Sequence, residues 1–221
     1  MPNISDITVF NTLSDSDIEE IASLVSTETL GKKETIFSEG EPSDWFYAVY
    51  EGKVKITKLS VDGKEIILEL IQPGELFGAV AVLKGFPYPA NAVAMEDSVI
   101  MKISRKNMML ILDRFPSLMF NLMQSLGDRL RDSHETTKNI ALEKVGSRIA
   151  ALLLKLSEQM GTKTPEGISL NIKLTKQDIA EMVGTTVETS IRTMSRFRKL
   201  GLIKEEAGKI IILDPDGLGD E

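Results

Sequence analysis

Apolar positions along this chain keep three different rhythms in succession. From about Leu30 to Ile103 the apolar runs are short, and Gly40, Gly52, Gly63, Gly74 and Gly78 interrupt them at roughly the ten-residue spacing of turns between strands. Trp45–Tyr50, Val54–Leu59 and Glu65–Leu70 read as strands, and Val54–Leu59 alternates apolar with polar side chains. Asp62-Gly63 between two of these runs predicts a tight hairpin. Many short strands with regular turns predict a β barrel or jelly roll. Ahead of them, Ser14-Asp-Ser-Asp followed by Ile18, Ile21, Ala22 and Leu24 predicts a capped amphipathic helix.

The second rhythm belongs to one long helix. Pro116 suits a helix start, and nothing breaks the pattern until about Ile140. Met119, Met123, Leu126, Leu130, Ser133, Thr137 and Ile140 recur at spacings of 4, 3, 4, 3, 4 and 3, the seam of a coiled coil. A single helix lying on its own barrel would also need an apolar stripe. The seam, however, turns polar at Ser133 and Thr137, where a parallel partner helix, or a ligand between two helices, offers the hydroxyls something to bond. A homodimer joined along this seam is the expectation.

The third rhythm starts near Glu143. Val145, Ile149, Leu152, Leu153 and Leu156 predict a helix closed near Gly161, followed by a turn at Thr164-Pro-Glu-Gly167 and a strand over Ile168–Leu174. Thr175 is placed to cap the next helix, with Asp178 three residues on, close to a capping box. Ile179, Ala180 and Val183 form its apolar face, and Gly184 permits a sharp turn. Thr186 then caps a second helix whose inward positions are expected to be Thr189 in part, Met194, Phe197 and Leu200, with Gly201 ending it. Two short helices joined by a glycine turn, the second one basic, predict a helix-turn-helix that docks on double-stranded DNA. Leu202-Ile203 and Lys209–Leu213, with Ala207-Gly208 between them, predict a wing hairpin. The acidic stretch from Asp214 to Glu221 is expected to fray.

Charge sharpens this picture. The net charge of −7 is unfavourable for a DNA binder, but its distribution is uneven. Between Ile172 and Lys204 there are seven basic residues (Lys173, Lys176, Arg192, Arg196, Arg198, Lys199, Lys204) against Asp178, Glu181 and Glu188, a local balance of +4. A basic module on an acidic body attracts phosphate locally while holding non-specific binding low.

Composition removes whole classes of chemistry. There is no cysteine, which excludes disulfides, thiolate metal sites and thiol redox switching. A lone histidine, His134, argues against a zinc enzyme or a serine–histidine triad, and no grouping of nucleophile, base and oxyanion donors can be assembled into an enzyme. No segment is apolar and long enough to span a bilayer and no leader pattern opens the chain, so a cytoplasmic protein without a membrane partner is expected.

Gly52-Lys-Val54, Pro73-Gly-Glu-Leu-Phe-Gly78, the long helix and the helix-turn-helix together resemble the winged-helix regulators of the cyclic-AMP-receptor and fumarate–nitrate-reduction (Crp/Fnr) family, over almost the whole chain. The resemblance implies an α+β fold: a cyclic-nucleotide-binding-like β jelly-roll sensor over 1–115, a dimerisation helix and hinge over 116–142, and a winged helix-turn-helix over 143–221. It also implies RNA polymerase and a small-molecule effector as partners. The family's recognition helix carries a Glu-x-x-x-Arg pair that reads a TGA core, and Glu188 and Arg192 match it. The chemistry agrees: arginine donates twice to guanine O6 and N7, a carboxylate accepts from cytosine N4, and residues four apart share a helix face. On an arbitrary helix the same pair would be an exposed ion pair worth a few tenths of a kcal/mol. Val187 takes the first base-reading position in place of the family's arginine, which leaves the outer half-site bases open, and Ile191 replaces the small residue often found before the final arginine. Thr175, Lys176, Thr186 and Arg196 are assigned to phosphates.

The same resemblance argues against cyclic AMP. Where the family's nucleotide cassette has Gly-Glu for the ribose this chain has Gly78-Ala79, and where it has Arg-Ser-Ala for the phosphate this chain has Tyr88-Pro89-Ala90. A buried cyclic phosphate loses its charge-assisted bidentate partner. The effector, of unknown identity, is assigned to a pocket formed by Phe77, Gly78, Ala79, Tyr88, Pro89 and Ala90 with Ser133 and His134 of the long helix. The plainer reading of His134 is an exposed histidine beside Glu135. Three alternatives stand beside the leading one: a haem-dependent sensor of NO or CO ligated through His134, a cyclic-nucleotide-binding subunit of an enzyme, and a DNA binder that needs no ligand.

Overall fold

A computed structural model describes residues Ile4–Glu221 of an α+β chain with two compact units, Met1–Leu130 and Arg131–Glu221, each taken by itself below. In the first, α1 (Asp15–Ala22) opens with the expected cap, strengthened by a reciprocal bond in which the Asp17 carboxylate accepts from the Ser14 N–H. Eight strands follow: β1 (Val25–Leu30), β2 (Thr35–Phe37), β3 (Trp45–Glu51), β4 (Val54–Leu59), β5 (Glu65–Ile71), β6 (Leu76–Phe77), β7 (Asn91–Ala94) and β8 (Ser98–Ser104). They pair antiparallel in two four-stranded sheets, ordered β1-β8-β3-β6 and β2-β7-β4-β5. The sheets share one apolar core that includes Phe37, Phe46, Phe77, Ile71, Ile100 and Ile103. The predicted β4–β5 hairpin turns at Gly63, whose φ of 76° favours glycine.

Three elements here were not anticipated. The edge strand β1 is mostly polar and exposed, with no alternation to betray it, so the strand region begins before Leu30. The helix α2 (Ala79–Lys84) is a six-residue run of small apolar side chains, too short to show a helical period. The helix α3 (Arg105–Arg114) buries Met108, Ile111 and Leu112 beneath a Ser104 cap.

The long helix α4 runs from Ser117 to Leu142, and Leu118 and Leu122 are its buried residues. In the second unit α5 (Val145–Met160) buries Ile149, Leu153 and Leu156 and is followed by β9 (Gly161–Thr164), β10 (Gly167–Leu170), α6 (Lys176–Val183), α7 (Val187–Lys199), β11 (Ile203–Glu206), β12 (Lys209–Ile212) and α8 (Pro215–Gly219). One sheet, ordered β11-β12-β10-β9, completes it. The predicted strand over Ile168–Leu174 stops at Leu170, although Ile172 and Leu174 remain buried in irregular backbone. The expected frayed tail is instead tied down. Asp214 caps α8, Leu218 is fully buried, and the Ser147 hydroxyl donates to the Glu221 carbonyl at 2.9 Å. A single well-placed leucine outweighs the acidic surroundings.

Candidate functional site

The helix-turn-helix is built from two caps and one left-handed glycine. Thr175 Oγ1 accepts from the Asp178 N–H at 3.0 Å, and the Asp178 carboxylate accepts in return from the Thr175 N–H at 2.8 Å. Gly184 ends α6 with φ of 65°, and Thr186 caps α7 by accepting from the Thr189 N–H. Ile179, Ala180 and Val183 of α6 are buried, as are Ser190, Met194 and Phe197 of α7. Thr189, expected inward in part, is half-buried; the stripe also takes in Ser190, and Leu200, expected inside, is 56% exposed at the C-cap, with Leu202 buried in its stead. Burying Met194 and Phe197 completely turns the opposite face outward, and that face carries Glu188, Ile191, Arg192 and Lys199, all exposed. Val187, at the first position of α7, is half-buried.

Glu188 and Arg192 do not bond to each other as a closed ion pair. The Arg192 guanidinium donates to Thr189 Oγ1 at 3.2 Å. The Glu188 carboxyl is held below its ordinary range chiefly by the backbone N–H of its own residue, then by the Thr186 hydroxyl and by the nearby Arg192 charge. A negative side chain in the first turn of a helix is also favoured by the helix dipole.

The residues assigned to phosphates are engaged within the unit. Lys176 Nζ lies 2.7 Å from the Glu205 carboxylate of β11. Arg196 pairs with the Glu221 carboxylate and lies over the Phe197 ring, while Lys204 contacts both Glu166 and Glu206. The hydroxyls of Thr175 and Thr186 serve their caps. The basic balance counted along 172–204 is thus partly neutralised by carboxylates from outside that segment. Arg198 and Lys199, exposed in the last turn of α7, make no ion pair among the described residues, and the sequence reading gave them no individual role. The β11–β12 turn places Ala207 and Gly208 at φ of 49° and 78°, the primed-turn geometry of a tight hairpin.

In the first unit Phe77, Gly78, Ala79, Tyr88, Pro89 and Ala90 line one cavity of about 380 Å³. Ser133 and His134 do not line it; both are exposed on α4. The α4 residues that do are Leu122, Ser125, Leu126 and Arg129, of which only Leu126 was singled out beforehand, and for the seam. Tyr88 is buried and stacks on Phe37 with ring centroids 3.8 Å apart. Its hydroxyl donates to the Trp45 carbonyl at 2.6 Å and accepts from the Trp45 N–H at 3.2 Å. Burial is the main cause that raises its pKa. The cations at the cavity are both occupied: Arg129 donates to the Leu76 carbonyl at 2.6 Å and lies 3.4 Å from Glu69, and Lys58 lies 3.0 Å from Glu39. A phosphate in this cavity would have to compete with Glu69 for Arg129 or with Glu39 for Lys58.

Along the expected seam, Met119, Met123, Leu130, Ser133, Thr137 and Ile140 are exposed and Leu126 is half-buried; Phe120, outside the expected pattern, is 65% exposed. Thr137 satisfies its hydroxyl within α4 by donating to the Ser133 carbonyl at 2.8 Å, so it does not require a partner helix. No helix among the described residues is long and apolar enough to cross a membrane, and no described cluster of histidine and carboxylate side chains could hold a metal ion.

Comparison with known proteins agrees with this geometry. The model of the cyclic nucleotide-binding domain matches residues 27–115, and that of the Crp-like helix-turn-helix domain matches residues 147–221. The chain is 26% identical over 210 residues, 95% of its length and 94% of the relative's, to a CRP-like cAMP-activated global transcriptional regulator of Mycobacterium tuberculosis. It is 29% identical over 209 residues, covering 93% of this chain and 88% of the other, to the anaerobic regulatory protein of Bacillus subtilis. The structure of FixK2 from Bradyrhizobium japonicum shares the fold, with a TM-score of 0.79 at 22% identity over 89% of this chain and 96% of that one. A barrel with a lined cavity, a long helix and a capped helix-turn-helix, matched over more than nine-tenths of the chain by such relatives, make this chain a member of the Crp/Fnr family of DNA-binding transcription regulators, which are not enzymes.

Proposed function

We propose that the chain acts as a homodimer that reads a palindrome with TGA and TCA half-site cores through Glu188 and Arg192, under the control of a small effector held in the barrel cavity. The observation that carries the reading is the shared exposure of Glu188 and Arg192 on the face of α7 opposite Met194 and Phe197. A carboxylate kept ionised by the helix N-terminus suits acceptance from cytosine N4, and a guanidinium whose hydrogen bond among the described residues is to a threonine hydroxyl can swing onto guanine. Val187 is the neighbouring base-reading position. Thr175, Lys176, Thr186 and Arg196 set register on the phosphates once DNA displaces their internal partners.

Dimerisation through α4 is supported by the exposed apolar side chains of Met119, Met123 and Leu130, which a monomer would leave in water. Two recognition helices must then lie about 34 Å apart to enter successive major grooves on one face of the duplex. A sensor over 1–115, a helix and hinge over 116–142 and a DNA-binding region over 143–221 divide the labour, and a small rotation near Asn139–Leu142 suffices to spoil half-site spacing. RNA polymerase is the partner through which binding affects transcription.

Selection from a random DNA pool tests the reading. Enrichment of a TGA/TCA palindrome by the native chain, lost in Met123→Asp/Leu130→Asp together with the dimer, is the expected result. Retention of palindrome binding by a monomeric variant would overturn the dimeric scheme, and enrichment of an unrelated sequence would overturn the assignment of Glu188 and Arg192.

A further inference from the structure

The cavity's chemistry is specific enough to name the class of molecule it takes. Two features carry the argument, and both rest on the reading of this cavity as the effector site. The first is charge balance. Lys58, Glu69 and Arg129 are its ionisable lining residues other than Tyr88, and each cation is already matched, Arg129 by Glu69 and by the Leu76 carbonyl, Lys58 by Glu39. An anionic ligand would have to break one of these pairs and leave a carboxylate beside its own charge. In a site partly withdrawn from water such a like-charge encounter is costly.

The second feature is what Tyr88 offers. Its hydroxyl is spent twice on the Trp45 backbone, so it presents the cavity with a ring and not with a donor. Phe37 stacks on that ring and lies 6.0 Å from Phe77, centroid to centroid, so that apolar ring surface forms much of the wall. Aliphatic side chains, Leu76, Leu122 and Leu126 among them, supply most of the rest. The half-buried Ser125 hydroxyl is the remaining polar side chain, without a hydrogen-bond partner among the described residues. A volume of about 380 Å³ suits a compact small molecule.

We infer that the effector is an uncharged, largely apolar molecule carrying at most a polar group or two that Ser125 can meet, and that cyclic nucleotides and other phosphates bind this cavity at a disadvantage. The preference comes from the apolar wall together with internal ion pairing: a phosphate would have to displace Glu69 from Arg129 or Glu39 from Lys58 while facing mostly apolar surface. Gly78, at φ of 76°, lies against the edge of the Tyr88 ring, where a larger side chain would crowd it.

The test uses two fluorescent probes with one ring skeleton, N-phenyl-1-naphthylamine, which is neutral, and 8-anilinonaphthalene-1-sulfonate, which adds a fixed negative charge, with cyclic AMP as competitor. The full chain is expected to bind the neutral probe saturably, to bind the sulfonate roughly tenfold or more weakly, and to retain the neutral probe in excess cyclic AMP. Ser125→Phe fills the cavity and abolishes neutral-probe binding; Val80→Trp, at an exposed lining position that leaves the core untouched, does the same should the first variant fold poorly. Glu69→Gln frees Arg129 and is expected to reverse the preference, raising sulfonate affinity roughly tenfold. Equal or tighter binding of the sulfonate, or displacement by cyclic AMP, at a site that Ser125→Phe or Val80→Trp removes, would overturn the inference while leaving the cavity as the effector site. Probe binding insensitive to both filling variants, or none at all, would overturn the effector-site reading itself.

Discussion

Lys176, in the first turn of α6, and Glu205, in β11, hold one another at 2.7 Å across the second unit. Both side chains are partly exposed, so the pair contributes little to stability, on the order of 0.5 kcal/mol. Its greater effect falls on binding, because a phosphate must compete with Glu205 for the ammonium. Glu205→Gln is expected to tighten DNA binding severalfold, and Lys176→Ala is expected to cost more in that background than in the native chain. A double-mutant cycle by fluorescence anisotropy measures the coupling. A gain from Glu205→Gln that survives Lys176→Ala in full would trace to general repulsion of the DNA and not to this pair.

Arg192→Ala is expected to weaken binding to the selected palindrome by about 1–3 kcal/mol and to relax specificity at one base pair of each half-site. Arg192→Lys should not restore it, since an ammonium cannot make the bidentate contact. Selected-pool sequencing of both variants reads this directly, and a uniform loss across all sequences would reassign Arg192 to the backbone.

The Glu188 carboxyl gives a pH signature. Its folded-state pKa is lowered, first by its own backbone N–H. A depressed carboxylate pKa adds stability that is present above the unfolded value, about 4.3 for glutamate, and is lost as pH falls through the lowered folded value. Carbon-13 titration of the Glu188 carboxyl should therefore find it changing below the ordinary glutamate value. Thr186→Ala should move that midpoint back upward, and an unmoved midpoint would remove the threonine hydroxyl from the explanation.

Ser190 points its hydroxyl into the packed face of α7, where Oγ is buried without a hydrogen-bond partner among the described residues. Ser190→Ala is expected to stabilise the chain by roughly 0.5–1.5 kcal/mol, since it removes a desolvated hydroxyl and improves helix propensity. Thermal denaturation measures it, with DNA affinity unchanged. A destabilised variant would reveal a hydrogen bond that this geometry does not contain.

The elements legible in the sequence were those with strong local chemistry. Both caps at Thr175 and Thr186, the Gly184 turn and the Ala207-Gly208 turn of the wing could be read because each depends on residues within four positions of one another. The strands β3, β4 and β5 were legible through their flanking glycines and branched side chains. What could not be read depends on distant partners. The α8 segment looks like a free acidic tail until Leu218 is seen buried. Leu200 keeps the helical spacing of an inward residue but sits where the helix ends, so Leu202 replaces it. The cavity's helical wall of Leu122, Ser125 and Arg129 was missed because the adjoining stripe of α4 has the stronger period, and the ion pairs that silence Lys176 and Arg196 join residues 25 or more positions apart.

Leu126 belongs to two rows of α4 at once, half-buried in the cavity wall and in register with Met119, Met123 and Leu130. Drift in the two rows is therefore unequal. Ser125 and Arg129 can change to suit a new small molecule without touching the outer row, and Met123 and Leu130 can change without touching the cavity. Leu126 has no such liberty, so a lineage acquiring a new signal would be expected to explore its neighbours first and alter this leucine last.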